Sequence, residues 1–121
     1  MNDISYQQYL AEINQYPLIP VEEENRLAGI IKLRNHCEGE LTDEIIKNAQ
    51  EAINKLVVSN LRLVVKIVNG VVKRASDKMD LISEGNRGLM RAAETFDPTK
   101  GAKLSVYSSF WIKQYINKYI Y

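Results

Sequence analysis

Residues 42–68 read TDEIIKNAQEAINKLVVSNLRLVVKIV, and the spacing of the apolar side chains in this stretch decides the fold class. Ile45, Ile46, Ala49, Ile53, Leu56, Val57, Asn60, Val64, Ile67 and Val68 recur at steps of three and four, which aligns them along one side of a 3.6-residue helix. The spacing predicts one long helix from near Thr42 that loosens or ends at Asn69-Gly70. On its N-terminal side, RNHCEGELTD (34–43) is a polar connection. A helix from about Val21 to Leu33 precedes it, with Glu22, Glu23 and Glu24 in the first turn, where negative charge suits the helix dipole. An earlier helix from about Ser5 to Asn14 is cut off by NQYPLIP, whose Pro17 and Pro20 break one helix and start the next. On the C-terminal side, a helix after Lys78 takes in Leu81, Ile82, Leu89, Met90 and Ala93 until DPTKG (97–101) forces a turn around Pro98 and Gly101. A last helix starts with Ser105 as its N-cap. No two-residue alternation bounded by hairpin turns is present, so the expectation is an all-α fold.

Composition bounds the function. The 121 residues suit a single domain, and 45% hydrophobic with 26% charged residues is globular composition. No apolar run approaches a bilayer span and MNDISYQQYL lacks a secretory pattern, so a cytoplasmic protein is expected. The single Cys37 and the single His36 beside it are too few for a disulfide or a structural zinc site, and both read as linker residues. No nucleophile–base pair, metal cluster or phosphate loop is visible, so the chain reads as a non-enzyme without cofactor or metal. The net charge of +1 conceals a split. Residues 1–52 hold four Lys/Arg against ten Asp/Glu, and residues 53–121 hold twelve against five. A basic half suits phosphates or another polyanion, unless the acidic half packs over it.

The stretch SVYSSFWIKQYINKYIY (105–121) contains the sole Trp, one of two Phe and four of seven Tyr, with lysines and no acid. On a helical wheel Ser105, Ser108, Ser109, Ile112, Ile116, Tyr119 and Ile120 share one arc, the expected core stripe. Tyr107, Phe110, Trp111, Gln114 and Lys118 share the opposite arc. Rings at helical spacing commonly pack in cores, but a helix of so small a domain cannot bury both faces. Exposed rings flanked by Lys100, Lys103, Lys113 and Lys118 suit unpaired nucleic acid, with rings on bases and ammonium groups on phosphates. Stacking is worth about 1–3 kcal/mol per base, about what unstacking a duplex base costs. Such a module captures an open base but does not melt a duplex alone.

Three motifs in order, NLRLVVKIV from Asn60, DLISEGNRGLMRAAETFDPTKGAKLS from Asp80 and YSSFWIKQYINKYI from Tyr107, resemble conserved region 2 of the primary-type bacterial sigma factors. YLAEINQYPLIPVEEENRLAGIIK resembles the family's region 1.2. The resemblance implies one domain: residues from about 3 to 33 like region 1.2, a connecting segment from 34 to 52, and 53–121 like region 2. It implies that the DLISEGNRGLMRA helix docks on the β′ clamp helices of core RNA polymerase through Asp80, Ser83, Glu84, Asn86, Arg87 and Met90. Substituting Glu84 or Asn86 is expected to impair docking with folding intact. Ser83 stands where the family usually has Gln. Gly85 and Gly88 weaken a helix unless something approaches closely, which docking or ordinary helix packing would explain.

The terminal helix, by the same resemblance, reads the promoter's minus-ten element and holds a flipped adenine of the non-template strand. Tyr107, Phe110 and Trp111 match the family's aromatic positions, Phe96 a pocket residue, and Lys100 and Lys103 basic positions near the backbone. Gln114 and Asn117 match positions that read the upstream edge of the element while it is paired, and Gln suits adenine in the major groove. Phe110 replaces a usual Trp, Asn117 a common Thr, and Ala102 and Leu104 stand where aromatic residues are usual. These departures imply a smaller ring cluster and weaker melting. Region 1.2 implies a further contact to the non-template strand downstream. Family members continue into further helical domains, so the chain is expected to be either a piece of a longer factor or a minimal protein. Two other readings stay open: a polymerase-binding decoy without productive promoter opening, and a helical oligomerisation module that uses its aromatic face.

Overall fold

The structure, a computed structural model, describes residues 5–72 and 75–120. Six α-helices and one short 3-10 turn make up its regular structure, with no strand among the described residues. The helices are α1 (Tyr6–Ile13), α2 (Val21–Asn35), α3 (Asp43–Val58), α4 (Leu61–Asn69), α5 (Ala75–Thr95) and α6 (Leu104–Ile120), and the 3-10 turn is Pro98–Lys100. The expected all-α class holds. Residues 3 and 4 of the first expected segment lie outside the described residues, and 43–52 of the expected connection form the first part of α3.

Local chemistry sets several of these boundaries. Ser5 caps α1 by accepting from the Gln8 amide while the Gln8 side chain accepts from the Ser5 amide, a reciprocal capping box. Thr42 caps α3 by accepting from the Ile45 amide at 3.2 Å. The expected single helix over 42–68 is two helices. Ser59 Oγ and Asn60 Nδ2 both donate to the Leu56 carbonyl, at 3.2 and 2.7 Å, and so compete with the backbone for the acceptor that would carry the helix onward. Asn60, placed on the apolar stripe by spacing, is where the chain turns. Two other starts move: α5 begins at Ala75, ahead of Lys78, and α6 begins at Leu104, which puts Ser105 inside the first turn rather than at its cap. The Lys103 carbonyl accepts from the amides of both Val106 and Tyr107 there.

Two apolar clusters hold the helices together. One joins Ile13 of α1, Val64 and Val68 of α4, Ile82 and Leu89 of α5, and Ile112 and Ile116 of α6. The other joins Leu27 and Ile31 of α2, Ile53 and Leu56 of α3, Ala93 of α5, Phe96 and Leu104. Helix α5 contributes to both and is the spine of the fold. Its glycines explain how α6 lies so near it. A Cβ on Gly88 would stand 2.5 Å from the Trp111 carbonyl oxygen, and one on Gly85 would stand 2.6 Å from Val64 Cγ1. The close approach that these residues permit is therefore internal, helix against helix.

Helix α1 is tied on by side chains. Tyr6 Oη donates to Asn69 Oδ1 at 3.2 Å, Lys78 sits 4.8 Å from the Tyr6 ring centroid, and Arg62 donates to the Tyr16 carbonyl at 2.8 Å. Among the described residues the acidic half does not neutralise the basic one by ion pairing. Among the described residues the pair that joins the halves is Lys32 with Asp97, at 3.4 Å, and there the base comes from the acidic half.

Candidate nucleic-acid interface

Helix α6 buries Leu104, Ser108, Ile112 and Ile116, a stripe at four-residue spacing, of which Ile112 and Ile116 pack with α4 and α5 and Leu104 packs with α2 and α3. Three members of the expected stripe lie elsewhere: Ser105, Tyr119 and Ile120 are exposed. Leu104 is buried in the first turn, because the helix starts two residues before the first helical position expected after a Ser105 cap. On the outer side Phe110, Lys113, Gln114, Asn117 and Lys118 are exposed, Phe110 at 57%. Tyr107 and Trp111, expected to face outward with Phe110, are half-buried along the flank toward α5.

The rings form a continuous run. Phe96 and Tyr107 are 5.8 Å apart between centroids, Tyr107 and Trp111 6.4 Å, Phe110 and Trp111 5.9 Å, and Trp111 and Tyr115 6.4 Å. Tilted and edge-on geometries at these separations are the favoured ones for aromatic pairs. Two arginines of α5 lie over this run: Arg91 is 5.7 Å from the Trp111 centroid and Arg87 is 5.9 Å from that of Tyr115. Each guanidinium packs a ring by cation–π attraction and is still exposed enough to meet an anion. Neither the Arg91 contact nor Tyr115 is foreseen by sequence, because no local pattern pairs residues on two different helices. Among the described residues Trp111 Nε1 and Ser108 Oγ are buried without a hydrogen-bond partner.

At the other end of the run, Tyr107 is fixed by its hydroxyl. Thr95 Oγ1 gives its one proton to the Arg91 carbonyl at 2.8 Å, so in the 2.8 Å contact between Thr95 Oγ1 and Tyr107 Oη the tyrosine donates. Phe96 is buried beneath it. Lys100 closes the 3-10 turn, and Gly101 follows at φ 90°, a left-handed conformation that suits glycine. Asp97 organises this turn by accepting from the Thr99 hydroxyl at 2.6 Å and the Thr99 amide at 2.9 Å. These bonds, the hydroxyl first, lower its pKa to about 2, and the Lys32 contact adds to them. Lys100 and Lys103 are both exposed beside it.

Two cavities border the rings. A groove of about 1010 Å³ runs between α5 and α6, with Arg87 on one wall and Phe110, Trp111, Gln114 and Lys118 on the other. A second cavity of about 470 Å³ lies at the Phe96 and Tyr107 end, where the tail of α2 meets the turn before α6. Exposed rings with cations along one face can stack on flat groups and neutralise phosphates.

The outer side of α5 is the second candidate surface. Asp80, Ser83, Arg87 and Met90 are exposed and Glu84 is half-buried, all on one stripe, with Arg87 donating to Glu84 at 3.4 Å. Asn86 departs from that stripe. It is half-buried toward α1, its Nδ2 donates to Tyr9 Oη at 3.2 Å, and its Oδ1 is buried without a partner among the described residues. A substitution of Asn86 therefore disturbs the α1 contact, against the expectation that it leaves folding intact. Burial raises the pKa of the Tyr9 hydroxyl that Asn86 reaches. Among the described residues no group of His, Cys, Asp and Glu is placed to hold a metal ion, and no helix is long and apolar enough to cross a membrane.

Residues 56–120 match the family model described as Sigma-70 region 2. RNA polymerase sigma factor SigA of Lactococcus lactis subsp. cremoris is 44% identical over 112 residues, which cover 93% of this chain and 28% of that protein. RNA polymerase principal sigma factor HrdC of Streptomyces coelicolor is 38% identical over 128 residues, covering 92% of this chain and 38% of the relative. RNA polymerase sigma factor RpoH of Zymomonas mobilis subsp. mobilis is 38% identical over 118 residues, covering 98% of this chain and 35% of the relative. The chain thus spans well under half the length of the curated relatives it matches.

Proposed function

This chain belongs to the sigma-70 family and carries its region 2, and on that premise we propose that it acts, without catalysis of its own, in transcription initiation. It docks on the β′ clamp helices of core RNA polymerase and captures the non-template strand of the promoter's minus-ten element. The observation that carries this reading is Phe110, exposed on the outer face of α6 beside a half-buried Trp111 that Arg91 backs from α5. A base laid on this face meets rings, with guanidinium and ammonium groups within reach of its phosphates. Gln114 and Asn117 follow one and two turns along the same exposed side, and their exposure supports a contact with paired bases at the upstream edge. The stripe of Asp80, Ser83, Glu84, Arg87 and Met90 supports docking through α5, with Asn86 acting indirectly by holding α1.

Fluorescence anisotropy of a labelled single strand carrying a minus-ten consensus, with and without core polymerase, tests the proposal. Binding should require polymerase and should fall when the flipped adenine is replaced. Trp111→Ala should weaken it by about 1–3 kcal/mol, the worth of one stacked ring. A Trp111→Ala chain that binds as wild type refutes the capture half. The decoy reading is favoured by one observation: of the three family ring positions on α6, only Phe110 is largely exposed. It predicts polymerase binding with no preference among strands.

A further inference from the structure

We infer that the last turn of α2 forms a wall of the cavity beside Phe96 and Tyr107 and that this cavity takes an unpaired base, with His36 supplying a planar group. The inference rests on the reading above, that the α6 region captures an unpaired base, and adds to it residues from the opposite end of the chain. The pocket is the cavity of about 470 Å³, within the range of roughly 300–1,000 Å³ usual for small-ligand sites. Its inner surface is apolar and aromatic: Phe96 and Tyr107, with rings 5.8 Å apart and tilted by 42°, and the buried Ile31. Lys100 and Ala102 from the segment before α6 and Asn35 and His36 from the end of α2 line it as well.

The tail of α2 is tied in this place. Asn35 Nδ2 donates to the Glu94 carbonyl at 2.9 Å, which links the end of α2 to the end of α5. One turn earlier Lys32 reaches Asp97 at 3.4 Å. His36 then ends the helix, its amide bonded to the Lys32 carbonyl at 2.9 Å, and its exposed imidazole lines the cavity. The methyl group of Ala102 offers the cavity no flat surface, whereas an imidazole does. With Lys32 and Lys100 at the rim, the chemistry fits a nucleotide of a single strand: base against the rings, phosphate toward the ammonium groups.

The test is anisotropy of the labelled minus-ten strand on the chain with core polymerase, comparing wild type, His36→Ala, His36→Phe and Trp111→Ala. Strands with one abasic site at each position in turn are run in parallel. His36→Ala is expected to weaken binding about fivefold, less than a full indole contributes, and His36→Phe to restore it. One abasic position should abolish the difference between His36→Ala and wild type while the others preserve it. A difference between His36→Ala and wild type that persists at every abasic position alike would place His36 on the phosphates and overturn the base contact. If Trp111→Ala is weakened and His36→Ala is not, the α2 wall is refuted and the capture reading stands. If neither is weakened, both fall. Thermal melts of the His36 variants should match wild type, since the exposed His36 side chain makes no hydrogen bond among the described residues.

Discussion

Two glycine-to-alanine substitutions inside helices should move stability in opposite directions. Gly29 lies in the middle of α2, exposed, with nothing within 4 Å of the place its Cβ would take. Gly29→Ala removes unfolded-state freedom without a clash and should stabilise the fold by about 0.5–1 kcal/mol. At Gly88 the same added methyl meets the Trp111 carbonyl oxygen at 2.5 Å, its carbon at 2.9 Å and Ile112 Cα at 3.0 Å. All three are backbone atoms, so no side chain can swing aside. Against an ordinary contact of 3.4 Å the shortfall is about 0.9 Å, and α5 and α6 must part by nearly that much. Overpacking of this kind costs about 1–3 kcal/mol, and the gain in helix propensity offsets about 1 kcal/mol of it. With about 4 °C of Tm per kcal/mol for a chain of this size, Gly29→Ala should melt a few degrees above wild type and Gly88→Ala below it, by up to about 8 °C. Differential scanning calorimetry on both variants reads this directly. A Gly88→Ala chain that melts at or above wild type would show that the separation of α5 and α6 is not limited at this residue.

Asn86→Ala should lower thermal stability and loosen α1, seen as faster amide exchange in residues 6–13, whereas Glu84→Ala should reduce polymerase binding with an unchanged melt. Arg91→Ala should shift the emission of Trp111, the sole tryptophan, and weaken strand binding by about 1 kcal/mol, the scale of an exposed cation–π contact. For Asp97 the folded pKa of about 2 lies below the ordinary 3.8, so the stability it contributes is present above that ordinary value and is lost as pH falls toward 2. Melts of wild type and Asp97→Asn from pH 5 downward should differ above pH 4 and converge near pH 2. Equal pH dependence in the two would refute the role of its bonds to Thr99.

The helices were legible because each buries a stripe at three- and four-residue spacing, and that spacing survives in Ile53, Leu56, Val64 and Val68. The break between α3 and α4 was not legible, because Asn60 sits at a permitted place in the period and only its bond to the Leu56 carbonyl discloses the turn. For the candidate site, the wheel placed Phe110, Gln114 and Lys118 on the outer face as found, since these depend on α6 alone. The half-burial of Trp111 depends on α5 and on the missing side chain at Gly88, which no single-helix projection contains. Arg91 over Trp111 was invisible for the same reason. His36 read as a linker residue because its cavity mates, Phe96 and Tyr107, are about sixty or more positions away and meet it only in the folded chain.

At the crossing of α5 and α6, the Trp111 carbonyl rests where the Gly88 side chain would be. Side chains between packed helices ordinarily act as a compliant layer, changing rotamer to absorb small displacements. At Gly88 that layer is absent on the α5 side, and two peptide backbones bear on each other directly. The outer stripe of α5 and the ring run of α6 are thus mounted on a stiff joint. A partner that tilts α5 by a fraction of an ångström at this joint would pass the movement to the tryptophan undamped, as a rigid lever carries load from one arm to the other.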